Sequence, residues 1–479
     1  MPRRPRGVML PPVPGSPPRR AALYRGLRAA LLDGVLAPGE RLPSSRQAAA
    51  DYGVSRGLIE EVFAQLGDEG FLERGVGRGS FVAARVAELS APATDRATRP
   101  ARPSRRGNRL AANLTCREPP RFVPFNAGVA DAAEFPWKTW QRVQLKAVRD
   151  LGRSALDFAD PRGLPELRAA LAHYLAQLRG MRCSPEQVVI FNSTQQALYA
   201  VTLLLLDPGD AVWVEDPAYP GARAAFELTG VRIAYVPVDG EGLDVAAGIR
   251  RAPRARMAYV TPPHQYPTGA ALSMERRIAL LDWAQRRDAW VLEDDYDGEF
   301  RYAGQPLTPL HALDQSGRVI YLGTLSKSTF VSLRLAFAVV PETLVEALAN
   351  VRTQLDTFSP PLAQLAMSRF MDEGHFSAHV RRMRGIYAAK YAQLSEALMP
   401  LTSQGWEWPA NPVGLQIMLQ HRDGALVRRV ARRSGLDLRL LSDFRSAEGK
   451  GDGLLLRFGG LDRGQIQEGT TALLRAATA

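Results

Sequence analysis

Tyr321-Leu-Gly-Thr-Leu-Ser-Lys-Ser-Thr-Phe330 is the stretch on which the reading of this chain turns. The apolar run Arg318-Val-Ile-Tyr-Leu322 leads into it, and a turn rich in Thr and Ser follows. A lysine on such a turn, Lys327, can condense with an aldehyde cofactor as a Schiff base. Asp294 stands 33 residues earlier and Arg334 seven residues later. A carboxylate can hold a pyridinium nitrogen, and a guanidinium can fork onto a phosphate. A lone lysine is ordinarily a solvated surface group, so the reading depends on what surrounds it.

Outward from Lys327 the chain alternates helical and strand-like segments from about Phe122 to its end. The spacing predicts helices over Leu164–Leu178, Ala197–Leu206 and Met274–Arg287. Short apolar runs predict strands at Gln187-Val-Val-Ile-Phe191, Ala211-Val-Trp-Val-Glu215, Met257-Ala-Tyr-Val260 and Trp290-Val-Leu-Glu293. Alternation of this kind implies an α/β fold with a mainly parallel sheet, whose ligands gather at strand C-termini. Polar clusters fall at those ends. Asn192-Ser-Thr-Gln-Gln196 leads into a helix whose first N–H groups can cradle a phosphate. Asp216-Pro-Ala-Tyr219 offers Tyr219 for stacking on a planar ring. Thr261-Pro-Pro-His-Gln-Tyr-Pro-Thr-Gly269 and Glu293-Asp-Asp-Tyr-Asp297 follow two further runs. Each cluster alone is weak; five in order at successive strand ends is a pattern.

The first quarter reads differently. Residues 1–20, rich in Pro and Arg, read as a disordered basic arm. Leu23, Leu27, Ala30 and Leu31 have helical spacing, and Asp33-Gly34 closes that helix. Pro43-Ser44 starts a second helix and Gly53 stops it. Ser55 caps a third, with Leu58, Val62 and Leu66 on one face. Two short helices joined by Tyr52-Gly-Val-Ser55 read as helix-turn-helix. Gly70-Phe-Leu-Glu-Arg74, a glycine-rich tip bearing Arg78, and Ser80-Phe-Val82 then form a hairpin, or wing.

Charge supports this division. The 479 residues carry +12 in all, of which residues 1–84 hold +4 and residues 85–120 hold +5. A basic excess gathered into one quarter suits contact with a polyanion. Residues 85–120 show little periodicity and read as a flexible basic linker, either a plain tether or one whose arginines brush DNA. Two cysteines, Cys116 and Cys183, imply no disulfide framework and fit a reducing cytoplasm. No stretch has the apolar length of a membrane span, and the start lacks the apolar core of a signal peptide.

Residues 23–82 strongly resemble the GntR-type winged helix, through Gly39-x-Arg41-Leu-Pro-Ser-Ser-Arg46, Gly53-Val-Ser-Arg56, Leu66-x-x-Glu69-Gly-Phe-Leu72 and Gly77-x-Gly79-Ser-Phe-Val82. The resemblance implies that Ser44, Ser45, Arg46, Ser55, Arg56, Gly57 and Arg78 meet an operator DNA duplex. At least one of Glu60 and Glu61 should face away from it. The large domain resembles a fold-type I, aspartate-aminotransferase-like domain dependent on pyridoxal 5′-phosphate. Val214-Glu-Asp-Pro-x-Tyr-Pro220, Pro263-His-Gln-Tyr-Pro-Thr-Gly269, Glu293-Asp-Asp-Tyr-Asp-x-Glu-Phe-Arg-Tyr302 and Gly323-Thr-x-Ser-Lys327 carry that likeness. Together the two domains resemble the MocR family of regulators, with boundaries expected at 21–84, 85–120 and 121–479.

What the resemblance implies can be stated residue by residue. Lys327 would bind the cofactor and Asp294 its pyridine nitrogen, with Asp295 the second choice. Tyr296 would donate to the ring oxygen and Tyr219 would stack. Arg334 would grip the phosphate with Ser193, Thr194, Gln195, Thr324 and Ser326. Tyr266 stands where transaminases usually have Asn, Ser193 where Gly is commoner, and Gln416 where His often follows Gly-Leu. Arg457, two residues beyond the position aligned with the substrate-carboxylate arginine, either binds an effector carboxylate or pairs structurally. His264 is a second effector candidate; no histidine has metal-ligand spacing. The family implies a cytoplasmic homodimer with head-to-tail exchange, sensing an amino compound or the cofactor itself. The expected function is a DNA-binding transcriptional regulator, with an active aminotransferase carrying an accessory DNA-binding domain as the alternative, and no metal is expected.

Overall fold

Contacts within the chain divide it into two compact units, Met1–Arg102 and Pro103–Ala479. The computed structural model describes residues 10–13, 19–75, 78–86, 102–112, 121–157, 159–302, 304, 307–409, 413–447 and 451–478.

In the first unit, α1 (Arg20–Leu32), α2 (Ser45–Tyr52) and α3 (Arg56–Asp68) precede an antiparallel hairpin of β1 (Leu72–Gly75) and β2 (Gly79–Val82). Leu23, Leu27 and Leu31 of α1 meet Ile59, Val62, Phe63 and Leu66 of α3 in one buried cluster. Ser44 caps α2 by accepting from Gln47 N, and Ser55 caps α3 by accepting from Leu58 N, both at 3.2 Å. Gly53 closes α2 at φ +64°, a left-handed conformation that favours glycine. Most of the expected arm lies outside the described residues, but Leu10–Val13 departs from the expectation of disorder. Leu10 and Val13 pack against this core, and Tyr52 donates to Pro11 O at 2.8 Å. Two apolar side chains have an apolar surface within reach there, and their contact with it opposes the entropy of ordering four residues.

The segment expected to be an extended tether lies mostly outside the described residues too, yet it contains a helix over Arg105–Ala112. Pro103 precedes Ser104, whose Oγ accepts from Gly107 N at 3.0 Å. That is a helix start signal, outvoted in the sequence by its Arg- and Pro-rich surroundings.

The second unit is built on eight strands: β3 (Val188–Phe191), β4 (Ala211–Asp216), β5 (Arg232–Asp239), β6 (Gly242–Leu243), β7 (Met257–Val260), β8 (Trp290–Asp295), β9 (Val319–Thr324) and β10 (Ala336–Val339). Their spatial order is β3-β10-β9-β8-β7-β4-β5-β6. β9, β8, β7, β4 and β5 are mutually parallel, while β10 runs antiparallel to both β3 and β9. Interior strands such as β7 and β10 are buried along their whole length, as a sheet covered on both faces requires. A smaller antiparallel sheet orders β11 (Gln416–His421), β13 (Asp452–Arg457) and β12 (Arg439–Leu440), with Gln416 opposite Arg457. Among the described residues no helix is long and apolar enough to cross a membrane.

Candidate functional site: a cofactor cavity and a DNA-facing surface

Parallel strands end at one edge of the large sheet, and the polar turns that follow them stand in a row there. Spatial order differs from chain order. Ser193 follows β3, Arg334 precedes the reversed β10, and Thr324, Ser326 and Lys327 end or follow β9. Asp294 lies on β8, Thr261 follows β7, and Tyr219 follows β4. The antiparallel direction of β10 is what brings Arg334 to this edge between Ser193 and Thr324. All ten residues assigned to the cofactor from sequence line one cavity of about 300 Å³. Gly128, Tyr259, Thr261, Tyr266, Asp297, Val331, Leu415, Gln416 and Arg457 complete its wall.

The phosphate-sized end is polar and cationic. Ser193 caps the helix Thr194–Leu205 through Gln196 N at 3.1 Å, leaving the first-turn N–H groups of that helix to face a ligand. Gln195 donates to Gly221 O at 2.8 Å, which holds the first turn of the helix Pro220–Thr229 against this helix start. Arg334 adopts φ +54° and, among the described residues, has no ion-pair or hydrogen-bond partner. An unpartnered arginine in one cavity wall with the hydroxyls of Ser193, Thr194, Thr324 and Ser326 fits a phosphate.

The other end fits a pyridine ring. Asp294 and Asp295 alternate on β8, so they face opposite sides of the sheet. Asp294 Oδ2 accepts from Tyr259 OH at 2.7 Å, while its Oδ1 is buried with no partner. Burial pushes the Asp294 carboxyl up to about 7. An orphaned carboxylate oxygen in the cavity wall is what a protonated ring nitrogen would satisfy. Asp295, the second choice from sequence, is committed elsewhere: it pairs with Arg179 and accepts from Tyr321 OH at 2.9 Å and Gly298 N at 3.0 Å. Lys327 Nζ donates to Gly128 O within the same cavity. Pyridoxal phosphate therefore fits these residues at both ends, and once bound its protonated pyridine ring would supply an electron sink, with its aldehyde as the point of attachment.

Arg457 reaches the cavity from the end of β13. Its Nη1 donates to Asn126 O at 2.9 Å and its Nη2 to Tyr266 OH at 3.1 Å. Leu455, the aligned position, is buried in apolar packing with Met418 and Phe444 instead. Gln416, noted in the sequence only as a departure, has its amide nitrogen buried without a partner in this wall. His264 does not line the cavity as an effector contact should. It is buried behind Tyr296, because the chain turns inward after β7 and Asp297 captures its ring. Gly128 carried no sequence signal, whereas Tyr259 was reachable from the side-chain alternation of β7.

The winged helix places its charges differently. Arg46, Arg56, Gly57 and Arg78 are exposed, with Ser44 and Ser55 at helix N-termini. A capping serine accepts through Oγ and keeps its hydrogen to donate outward. Ser45 accepts from Arg56 Nε at 3.2 Å, tying the two helices together. Glu60 pairs with Arg74 of the wing, and Ser45 and Arg74 hold its carboxyl below the usual range. Glu61 turns back to Arg20 on α1 at 3.5 Å.

A winged helix with exposed arginines at its helix starts, followed by a pyridoxal-phosphate cavity at the edge of an α/β sheet, defines a DNA-binding protein carrying an aminotransferase-type domain. Family comparison agrees: residues 19–82 match the bacterial regulatory proteins of the gntR family, and residues 123–437 match the class I and II aminotransferases. The chain is 35% identical to the probable rhizopine catabolism regulatory protein MocR of Rhizobium meliloti, over 96% of this chain and 94% of that protein. It is 28% identical to the pyridoxine biosynthesis transcriptional regulator PdxR of Corynebacterium glutamicum, over 93% of each. Among solved structures it is similar to the α-aminoadipate aminotransferase LysN of Thermus thermophilus, complexed with N-(5′-phosphopyridoxyl)-L-leucine. That likeness has a TM-score of 0.71 and 29% identity, covering 78% of this chain and 97% of the other. This chain belongs to the MocR family of transcriptional regulators: a gntR-type DNA-binding domain joined to a class I and II aminotransferase domain whose cofactor is pyridoxal phosphate.

Proposed function

We propose that this regulator senses an amino acid, or pyridoxal phosphate itself, at Lys327 and reports it as a change in operator affinity. The observation that carries the reading is one cavity holding Lys327, the orphaned Asp294 Oδ1, the unpartnered Arg334 and Arg457. Lys327 binds the cofactor aldehyde, Asp294 its ring nitrogen, and Arg334 its phosphate with Ser193, Thr194, Thr324 and Ser326. Tyr219 covers the ring and Tyr296 offers its hydroxyl to the ring oxygen. Arg457, steered by Tyr266 and Asn126, is aimed at a carboxylate, which favours an amino acid over a simple amine. The unpartnered Gln416 amide across from it offers a further polar contact. Ser44, Ser45, Arg46, Ser55, Arg56, Gly57 and Arg78 hold the operator. The protein acts as a cytoplasmic homodimer with exchanged winged helices, and a ligand shifts its operator affinity only by binding one arrangement better than the other.

Operator binding measured without cofactor, with pyridoxal phosphate, and then with candidate amino acids tests this. A cofactor-only response identifies the cofactor as the signal; an amino-acid response identifies the amino acid. Identical affinity under all three conditions would reject the sensing reading. Multiple-turnover amino transfer at a biosynthetic rate would make the protein an aminotransferase with an accessory DNA-binding arm.

A further inference from the structure

Three oxygen atoms from two side chains converge on one nitrogen behind the cavity. His264 Nδ1 lies 3.1 and 3.0 Å from the two carboxylate oxygens of Asp297, and 3.0 Å from the hydroxyl of Tyr296. The His264 and Tyr296 rings are roughly parallel, with centroids 5.7 Å apart and planes 27° apart. His264 is 4% exposed and Asp297 2%.

A carboxylate offers this nitrogen only lone pairs, so Nδ1 carries the hydrogen and donates it. Nδ1 then has no lone pair left for the tyrosine. The phenol oxygen can only be a second acceptor of that same N–H, and its own hydrogen must point elsewhere. Elsewhere is the cavity, whose wall Tyr296 forms. The ring is also boxed in. Gly414 sits at φ +73°, and a Cβ there would overlap both Asp297 Oδ2 and the imidazole. Gly414 is pinned in turn, donating from its N to Phe300 O at 2.8 Å and accepting at its O from Tyr302 OH. A Cβ at Gly269 would press on His264 Nε2 at 3.3 Å. The imidazole therefore has little room to turn over and present its other nitrogen.

We propose that the buried Asp297–His264 pair fixes the direction of the Tyr296 hydroxyl hydrogen, making His264 a positioning residue for the ring oxygen of the bound cofactor. This rests on Lys327 carrying pyridoxal phosphate, as above. The other titratable groups around the phenol are Asp294, Glu215 and Tyr266, with Lys327 and Arg457 across the cavity. Burial first, and the Asp297 charge next, hold the phenol well above its ordinary range, so Tyr296 stays a donor throughout the working pH range. A donor fixed on the ring oxygen stabilises negative charge there. It lowers the pH at which the bound cofactor's visible band titrates.

The test is a pH titration of that band in the cofactor-loaded protein. His264→Phe and Tyr296→Phe should each raise the midpoint by about one pH unit, the order expected for a hydrogen bond to a charged group. Combining them should add nothing, because the histidine acts only through the phenol. His264→Asn, whose amide nitrogen can occupy the Nδ1 position, should return the midpoint close to the parent value. His264→Gln, which reaches the Nε2 position instead, should behave like His264→Phe, so the Asn/Gln pair decides the matter even if the Phe variant does not fold. A midpoint unmoved in loaded His264→Gln, or additive shifts in the double variant, would overturn the inference while leaving cofactor binding intact. A parent protein with no band that borohydride reduces would overturn both.

Discussion

The winged-helix surface and the cofactor cavity recognise their ligands by opposite means. On the winged helix, Ser44 to Arg46 and Ser55 to Gly57 lie within 14 consecutive residues, all exposed except the half-buried Ser45, and set by local caps. In the cavity, Gly128, Ser193, Tyr219, Asp294, Lys327, Gln416 and Arg457 span 330 positions and face one enclosed space. A polymer outside the protein is met by a convex face carrying charge in water. A small cofactor must be surrounded, and only distant chain segments can surround it. Desolvation follows from the same difference. Burial drives Asp294, Glu215 and Glu293 each up to about 7, whereas the winged-helix carboxyls with resolved shifts, Glu60 and Glu69, move down through exposed partners.

The largest expected effect is also the cleanest separation of the two regions. Lys327→Ala should abolish the borohydride-reducible visible band entirely and remove the effector response. Basal operator affinity, measured by fluorescence anisotropy, should stay within about twofold, since the change lies in the other compact unit. An equal effector response in that variant would overturn the assignment of Lys327.

The converse substitution acts on the other region. Arg46→Ala with Arg56→Ala should weaken operator binding by about 10²-fold or more, given roughly 1–3 kcal/mol for each good base contact. The slope of affinity against salt should fall by about one for each phosphate contact removed. The cofactor band should be unchanged. Unaltered binding with an unaltered slope would reject the DNA surface as drawn.

A subtler contrast appears in pH. Asp294, Glu215 and Glu293 are raised, so the folded state keeps protons that the unfolded chain loses above about pH 4–4.5. Between there and pH 7 the unfolded state binds fewer protons, and these groups make stability fall as pH rises. Their contribution is complete below the unfolded values and lost by about pH 7. Thermal melts of cofactor-free protein should therefore drop from pH 5 to pH 7.5. Pyridoxal phosphate should flatten the drop, because a pyridinium gives ionised Asp294 a counter-charge. A melting temperature that climbs through this window without cofactor would contradict the burial argument.

The smallest effect belongs to the exposed region. Glu61→Ala removes a surface pair with Arg20 whose two side chains are 62% and 56% exposed. Neither operator affinity nor melting temperature should change measurably, because solvent screens such a pair.

How much was legible follows the same line. The helix-turn-helix was readable because its signals are local: Ser44 and Ser55 cap, Gly53 stops, and the apolar positions of α1 and α3 repeat at helical spacing. The α/β alternation and the strand-end clusters were readable for the same reason. Leu10–Val13 was misread because tertiary packing, absent from local composition, orders it. Asp294 and Asp295 were adjacent candidates ranked in sequence only through the family resemblance; the strand's alternation gives one to the cavity and the other to Arg179.

By itself the sequence determined that this chain joins a gntR-type winged helix to an aminotransferase-type domain, and which lysine, aspartate and arginine carry the cofactor pattern. Residue types and short spacings hold that information, because caps, turns and strand ends form from neighbours. Tertiary structure alone decided that β10 reverses to bring Arg334 beside Ser193, that Arg457 and not Leu455 reaches the cavity, and that His264 stands behind Tyr296 against Asp297. Those placements depend on strand order and on which face each side chain takes once the sheet is buried on both sides, and neither is encoded in any one segment.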